Sequence, residues 1–90
     1  MPTIRIPAPF RTYTASLSEV TVQGGTVAQA LADLLVQHPA LRSHLYNAED
    51  RLRPHINLFV EGTNVRDLQG LDTPLSPGDS LNLVPSIAGG

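Results

Sequence analysis

The residues with the most specific chemistry in this 90-residue chain are the last two, Gly89 and Gly90. Because neither has a Cβ, the pair adopts almost any backbone conformation and fits a channel too narrow for side chains. The α-carboxylate of Gly90 is also unhindered, so it can approach the α-phosphate of ATP and be attacked once it is activated. Many chain ends are merely frayed, so the pair predicts acyl chemistry only if the preceding domain presents it to an enzyme.

The segment that leads to this pair contains no ionisable side chain from residue 80 onward. Pro85 restricts the backbone where the chain leaves the domain. Ile87, with Ala88 beside it, offers an apolar contact to a partner's groove. We therefore predict a folded domain over residues 1–86 and a flexible tail over residues 87–90.

Strands are predicted wherever apolar residues alternate with polar ones. In the clearest case Ile56, Leu58 and Val60 share one face, whereas Asn57 and Phe59 lie on the other. Prolines and glycines separate these short elements along the chain. The predicted strands cover residues 3–6, 17–23, 55–61, 64–66 and 81–85.

One main helix is predicted after a pair of glycines. Thr26 and Gln29 have the spacing of a capping box, in which the threonine hydroxyl accepts from the Gln29 amide and the glutamine side chain reaches back. Pro39 ends the helix, and a shorter helical turn is predicted over residues 41–46. Apolar residues at helical spacing form one stripe along the main helix: Val27, Ala30, Leu31, Leu34 and Leu35.

These elements follow the order β-β-α-β-β-β. Their economical packing is an α+β fold, a mixed sheet of four to five strands wrapped over one main helix, which is the β-grasp arrangement. The first and last strands are each apolar on one face, which favours neighbouring positions at the centre of the sheet. The Ser-Pro-Gly-Asp sequence at residues 76–79 predicts a type II turn before the last strand.

Composition excludes several classes of function. Six arginines and eight acidic residues give a net charge of −2 and a pI near 5.8, which argues against nucleic-acid binding by a basic face. No apolar run approaches the ~20 residues of a membrane span, and the absence of cysteine excludes a disulfide scaffold and a thiolate metal site. We expect a cytosolic protein that binds neither nucleic acid nor membrane.

The polar residues do not form the usual catalytic or metal-binding patterns. His38, His44 and His55 lack the spacing of a metal site, so solvated or capping roles are favoured. Asp33 and the neighbouring acids Glu49 and Asp50 are interpreted as solvated charge, and no serine lies in a nucleophile elbow. We predict that the chain by itself is not an enzyme and binds no metal.

Four segments, in their order and spacing, resemble the MoaD/ThiS family of ubiquitin-like sulfur carriers over essentially the whole chain. Gly-Thr-Val opens the helix at residues 25–27, and HINLFVEG occupies residues 55–62. PLSPGDSL follows at residues 74–81, and Ile-Ala-Gly-Gly ends the chain. Each segment is weak by itself, whereas their succession down to the terminus is specific.

This resemblance implies a chemistry for the tail. An E1-like activating enzyme of the MoeB/ThiF type would use ATP to adenylate the Gly90 carboxylate, which would then be converted to a thiocarboxylate. Gly89 would give the tail access to the active sites involved. The chain itself would bind no cofactor, and its sulfur would pass to an acceptor enzyme.

Two biosynthetic pathways are candidates to receive that sulfur. Residues 52–55, the return over residues 64–66 and the chain length are most similar to the CysO-like branch of cysteine biosynthesis, whose acceptor is a cysteine-synthase-like enzyme. The alternative is the small subunit of molybdopterin synthase, which acts with the large subunit. A JAMM-type metallopeptidase is a further candidate partner.

The family docks through one face of its sheet, which implies a partner-binding role for the outward residues beside the tail. These are Phe59, Asn57 and Val84, together with Ile87 and Ala88 in the tail itself. A function of another class stays open. In that alternative the chain is a passive ubiquitin-like interaction domain whose sheet face binds a partner and whose tail is inert.

All six cationic side chains are arginine, and the chain has no lysine. Biased genome composition is the simpler explanation. The functional hypothesis is that a carrier with an activated acyl end must lack lysine amines and cysteine thiols, because these would capture that end.

Overall fold

The computed structural model describes residues 1–85. Along the chain, these residues form seven helices and strands, joined by turns and by short 3₁₀ segments. The elements are β1 Thr3–Arg5, β2 Glu19–Thr21, α1 Val27–Gln37, α2 Arg42–Leu45, β3 Ile56–Val60, β4 Thr63–Asn64 and β5 Ser80–Pro85. The predicted β-β-α-β-β-β order is therefore confirmed, with α2 in place of the predicted helical turn.

The five strands form one mixed sheet in the order β2-β1-β5-β3-β4. Strands β1 and β5 are parallel neighbours, with Ile4 opposite Leu81, and the other pairs are antiparallel. The predicted β-grasp arrangement and the central pairing of the first and last strands are confirmed. Strand β5, the last described element, therefore lies at the centre of the sheet.

The core lies between the inner face of the sheet and α1. Alternation along β3 points Ile56, Leu58 and Val60 inward, as the sequence predicts. The apolar stripe of α1 packs onto them, and Leu35 at its margin is only partly buried. The most deeply buried apolar side chains are Ile4, Ile6, Val22, Val27, Ala30, Leu31, Leu34, Leu41, Leu45, Ile56, Leu58 and Leu81.

Helix α1 begins with the predicted cap. The Thr26 hydroxyl accepts a hydrogen bond from the Gln29 amide at 3.2 Å, and Gln29 Oε1 accepts from the Gly25 amide at 2.8 Å. The glutamine thus reaches one residue further back than in a standard capping box. The helix ends at Gln37, just before His38 and Pro39.

The strand predicted over residues 64–66 forms over Thr63–Asn64 instead, so its predicted bounds are wrong. Strand β4 ends at Asn64, whose side-chain oxygen accepts from the Arg66 amide at 2.9 Å. This local bond turns the chain into a 3₁₀ segment, Val65–Asp67, which buries Val65. An asparagine side chain that satisfies a nearby backbone donor competes with strand pairing in this way.

The predicted turn over residues 76–79 forms, but its type is wrong. The Ser76 carbonyl accepts from the Asp79 amide at 2.9 Å, and the Asp79 carboxylate accepts from the Ser76 amide at 2.9 Å. A type II turn requires a positive φ at Gly78, and Gly78 does not have one. Serine at the first position and proline at the second are also typical of a type I turn, which needs no positive φ.

The sequence did not predict the 3₁₀ segment Ala8–Tyr13. It follows β1 and carries Arg11 to the rim of the sheet, as described below. At the other end of the chain, the predicted domain boundary after residue 86 and the tail over residues 87–90 lie outside the described residues. Within residues 1–85 no helix is both long and apolar enough to cross a membrane.

Candidate functional site

The outer face of the sheet, opposite α1, contains the three predicted docking residues that the structure describes. Phe59 and Asn57 point outward from β3, since their neighbours Ile56, Leu58 and Val60 are buried. Val84 points outward from β5 for the same reason. The period of two in a strand decides this placement.

Strand register brings these residues together. Asn57 lies directly opposite Val84, and Phe59 lies opposite Asn82, so that the side chains touch across the strands. Val84 is 42% exposed, whereas Phe59 and Asn57 are half-buried. An exposed valine beside a half-buried aromatic ring is an apolar surface that a partner can cover.

This part of the face forms an open depression of about 340 Å³. Phe59 and Val84 supply its apolar surface together with Pro7. Arg5 and Arg11 supply its charge, from β1 and from the following 3₁₀ segment. The depression is thus an apolar patch with a cationic rim, located where β5 approaches its C-terminal end.

Sequence reasoning missed three residues of this depression. Alternation along β1 and β5 places Arg5 and Asn82 outward, and their parallel pairing brings them beside Phe59, so strand periodicity could have identified both. Arg11 could not be placed in this way, because the segment that carries it was not predicted. It reaches the site only through the fold of Ala8–Tyr13.

A second depression, of about 400 Å³, lies between the start of α2 and the loop that follows it. Its residues include Arg42, Tyr46 and Arg53, and none of the predicted site residues. Burial raises the pKa of the Tyr46 phenol, and the nearby Arg42 guanidinium partly offsets that rise. Arg42 also forms an ion pair with Asp50, so the charge of Arg42 is already compensated.

The three histidines lie in different environments. His38 is the C-terminal cap residue of α1. His44 stacks on the Tyr13 ring with centroids 4.1 Å apart. His55 is exposed and precedes β3. Among residues 1–85 no three His, Asp or Glu side chains are grouped so as to hold a metal ion.

Strand β5 ends beside the depression. Pro85, the last residue of β5, lies opposite Ile56, one residue after Val84. The predicted tail residues Ile87, Ala88, Gly89 and Gly90 lie outside the described residues. Their roles in docking and in acyl chemistry stay predictions.

Comparison with known proteins identifies the family. The sequence profile described as the ThiS family matches residues 4–90. The chain belongs to the ThiS family. The match covers nearly all of the chain and runs through Gly90.

Individual members of this family are similar over most of their length. The sulfur carrier protein CysO of Mycobacterium tuberculosis is 29% identical over 90 residues, covering 98% of this chain and 97% of that protein. The crystal structure of the BexX/CysO complex of Amycolatopsis orientalis contains a chain that superposes with a TM-score of 0.90 at 32% identity, with complete coverage of both chains. The small archaeal modifier protein 1 of Haloferax volcanii is 36% identical over 72 residues, covering 79% of this chain and 78% of that protein.

These similarities establish the general character of this ThiS-family member. It is a ubiquitin-like β-grasp protein of the sulfur-carrier and modifier group. Its homologues are protein co-substrates, so the prediction that the chain is not an enzyme is confirmed.

Proposed function

We propose that this protein is a sulfur carrier whose Gly90 carboxylate is adenylated by an E1-like enzyme and converted to a thiocarboxylate. The thiocarboxylate then donates its sulfur in the cytosol, with cysteine biosynthesis as the favoured pathway. One observation carries the proposal: similarity to the ThiS family extends from residue 4 to Gly90. The full-length similarity to a CysO sulfur carrier supports the choice of pathway.

The proposed chemistry has two steps. The Gly90 carboxylate attacks the α-phosphate of ATP, which forms the acyl adenylate and releases pyrophosphate. Sulfide then attacks the carbonyl carbon, the C–O bond to AMP breaks, and the thiocarboxylate remains. No electrons are exchanged, and the activating enzyme supplies both active sites.

The sheet face is the proposed docking surface for these enzymes. Its exposed Val84 and the adjacent Phe59 lie beside the end of β5, and the tail follows β5 in sequence, so we expect a partner that covers the face to receive the tail as well. A similar chain is found in complex with BexX, which supports docking to a second protein as the mode of action.

Intact mass spectrometry tests the proposal. The protein is incubated with an activating enzyme of its own genome, ATP and sulfide, and is then treated with an alkylating reagent. We expect the replacement of one oxygen by one sulfur, and a single alkyl adduct on the C-terminal peptide. Because the chain contains no cysteine, the thiocarboxylate is the one sulfur in it that alkylates readily.

A variant with an extra alanine after Gly90 is the matched control and should gain no sulfur. Sulfur transfer from the loaded protein to a cysteine-synthase-like enzyme, compared with transfer to a molybdopterin synthase large subunit, then decides the pathway. If every activating enzyme of the genome leaves the mass unchanged, the chain is an interaction domain instead.

Protein modification is a second candidate function, favoured by the 36% identity to a small archaeal modifier protein. The same acyl adenylate would then be attacked by an amine of a target protein, which forms an amide bond and releases AMP. In a cell extract supplied with ATP, labelled chain shifted to higher mass in a form stable to reducing agent would favour this function over sulfur donation.

A further inference from the structure

The charge of the outer-face depression is opposite to that of the whole protein. The chain has eight acidic residues and six arginines, yet the depression is lined, within residues 1–85, by two arginines and no acid. A cationic site on a net negative protein favours a partner group that is negatively charged.

Arg5 and Arg11 are not equivalent in this site. Arg5 faces Glu19 at 3.7 Å in an exposed ion pair, so its charge is partly compensated. Arg11 donates through Nε to the Ile6 carbonyl at 3.0 Å. Within the described chain, no group bonds to either Nη atom of Arg11.

The backbone of Arg11 is also held firmly. Its carbonyl accepts from the Thr14 amide at 3.1 Å and from the Ser16 amide at 2.8 Å, and the buried Thr14 hydroxyl adds a third bond at 3.3 Å. The loop that provides these donors places Ala15 and Ser16 at φ values of 54° and 67°. Non-glycine residues adopt this conformation at a cost in free energy, and here the loop adopts it while fixing the position of Arg11.

A guanidinium held at Nε and free at both Nη atoms is suited to a carboxylate. The two Nη groups offer a planar pair of donors that matches carboxylate oxygens. Since the side chain is already ordered, little conformational entropy is lost when the partner binds. Phe59 and Val84 line the same depression and can take up an apolar side chain of the same partner segment.

We propose that Arg11 is the anchor for an aspartate or glutamate of the activating enzyme, whose neighbouring apolar side chain packs on Phe59 and Val84. This inference rests on the proposed function, because the activating enzyme is the partner named there. Beyond that function, it specifies which groups of the enzyme the carrier recognises: a carboxylate with an apolar side chain beside it.

The test measures ATP–pyrophosphate exchange by the activating enzyme at varied concentrations of the carrier. For Arg11→Gln we expect the KM for the carrier to rise about tenfold with kcat unchanged, because the lost contact is a charged hydrogen bond made equally in the ground and transition states. The KM of Arg11→Gln should also depend less on salt than that of the wild type. Arg11→Lys keeps the positive charge but lacks the planar pair of Nη donors, so its KM should lie between those of the wild type and Arg11→Gln.

Two further variants make the result specific. Arg51→Gln is the matched control, since it removes an exposed arginine that does not line the depression, and its KM should equal that of the wild type. Asn82→Asp leaves Arg11 in place and puts a competing carboxylate in the depression, so its KM should rise severalfold even if Arg11→Gln folds poorly. Urea unfolding of each variant verifies the fold.

The possible failures are distinguishable. If the wild type supports exchange and both Arg11→Gln and Asn82→Asp have wild-type KM values, the role proposed for Arg11 is wrong. The proposed carrier function is then unaffected. If the wild type supports no exchange with any activating enzyme of the genome, the proposed function is wrong, and so is the role proposed for Arg11.

Discussion

Phe59 is one of four aromatic residues in the chain, and it is placed on the solvent side of the sheet. Its neighbours in the strand, Leu58 and Val60, point to the opposite face and are buried in the core. Its ring is therefore not part of the core cluster. A substitution of Phe59 can therefore change the outer surface while leaving the core side chains in place.

For Phe59→Ala we expect a dissociation constant from the activating enzyme about ten- to a hundredfold higher, because partly exposed aromatic residues beside an apolar patch commonly dominate binding. Titration calorimetry measures this directly. Val36→Ala is the control, since Val36 is 77% exposed on α1 and lies outside the face. An equal loss of affinity in both variants would contradict a role for the sheet face.

The arginines serve the fold as well as the surface. Arg53 donates through Nε and Nη2 to the Ser43 carbonyl, at 3.1 and 2.9 Å, and Arg66 donates to the Pro54 carbonyl at 2.8 Å. With Arg11, half of the arginines thus bind backbone carbonyls. A lysine ammonium lacks the planar fork with which Arg53 makes two such bonds at once, so a lysine would not reproduce this contact.

Arg51 allows the protective explanation to be tested, because it is exposed and its side chain makes no hydrogen bond or ion pair within residues 1–85. If lysine is excluded to protect the activated tail, Arg51→Lys should form amide-linked dimers when it is incubated with activating enzyme and ATP. Denaturing electrophoresis detects them, and Arg51→Gln is the control. A purely monomeric Arg51→Lys protein would count against the protective hypothesis.

The connection between β2 and α1 depends on a single glycine. Gly24 has φ of +147°, and a Cβ there would lie 2.8 Å from the backbone nitrogen of Ala30 and 2.9 Å from the Gln29 carbonyl carbon. Gly25 has no such restriction, since the nearest atom to its Cβ would be Gln29 Oε1 at 3.6 Å. The two neighbouring glycines therefore form a matched pair.

We expect Gly24→Ala to lower the free energy of unfolding by more than about 2 kcal/mol, because strain and collision with helix backbone add together. Gly25→Ala should change it by less than about 0.5 kcal/mol. Urea denaturation followed by circular dichroism measures both values. Similar stabilities for the two variants would show that α1 can shift away from residue 24.

The sequence predicted helix α1 more accurately than it predicted the turns. The Thr26 cap and the apolar stripe of α1 lie within a few residues of each other, so both were predicted. The residues after Thr63 and those at 76–79 were predicted wrongly in detail, because Asn64 and Asp79 bond to nearby amides. Such bonds depend on side-chain geometry that a pattern of apolar residues does not contain.

At the scale of the whole molecule, Tyr46 links folding to pH. Burial raises its pKa above the ordinary value of 10.0, and Arg42 offsets this only in part. The unfolded chain therefore releases the phenolic proton at a lower pH than the folded protein. Below about pH 10 this contribution to stability is complete, and it is lost as the pH rises through the folded pKa.

For the wild type we expect the free energy of unfolding to fall as the pH is raised from 9 to about 11. In Tyr46→Phe the fall should be smaller, since the titrating group is absent while most of the packing remains. Urea titrations at each pH give the slopes, and the values at pH 7 correct for altered packing. Equal slopes in the two proteins would contradict the raised pKa.

The sequence by itself determined the features that depend on near neighbours. These are the inward and outward faces of β3 and β5, which place Phe59, Asn57 and Val84 on one surface, and the start of α1 at Thr26. A period of two or of 3.6 residues specifies which face is buried without reference to the rest of the chain. The succession of short motifs was enough to indicate the family.

Only the tertiary structure decided what surrounds those residues. The parallel pairing of β1 with β5 brings Arg5, from the start of the chain, beside Asn82 near its end, and the 3₁₀ segment after β1 adds Arg11 to the same depression. Contacts between opposite ends of the chain are set by how all the apolar faces are buried together. For this reason the place of Arg11 in the cationic rim could be found only once the chain was folded, whereas strand periodicity already places Arg5 on the outer face.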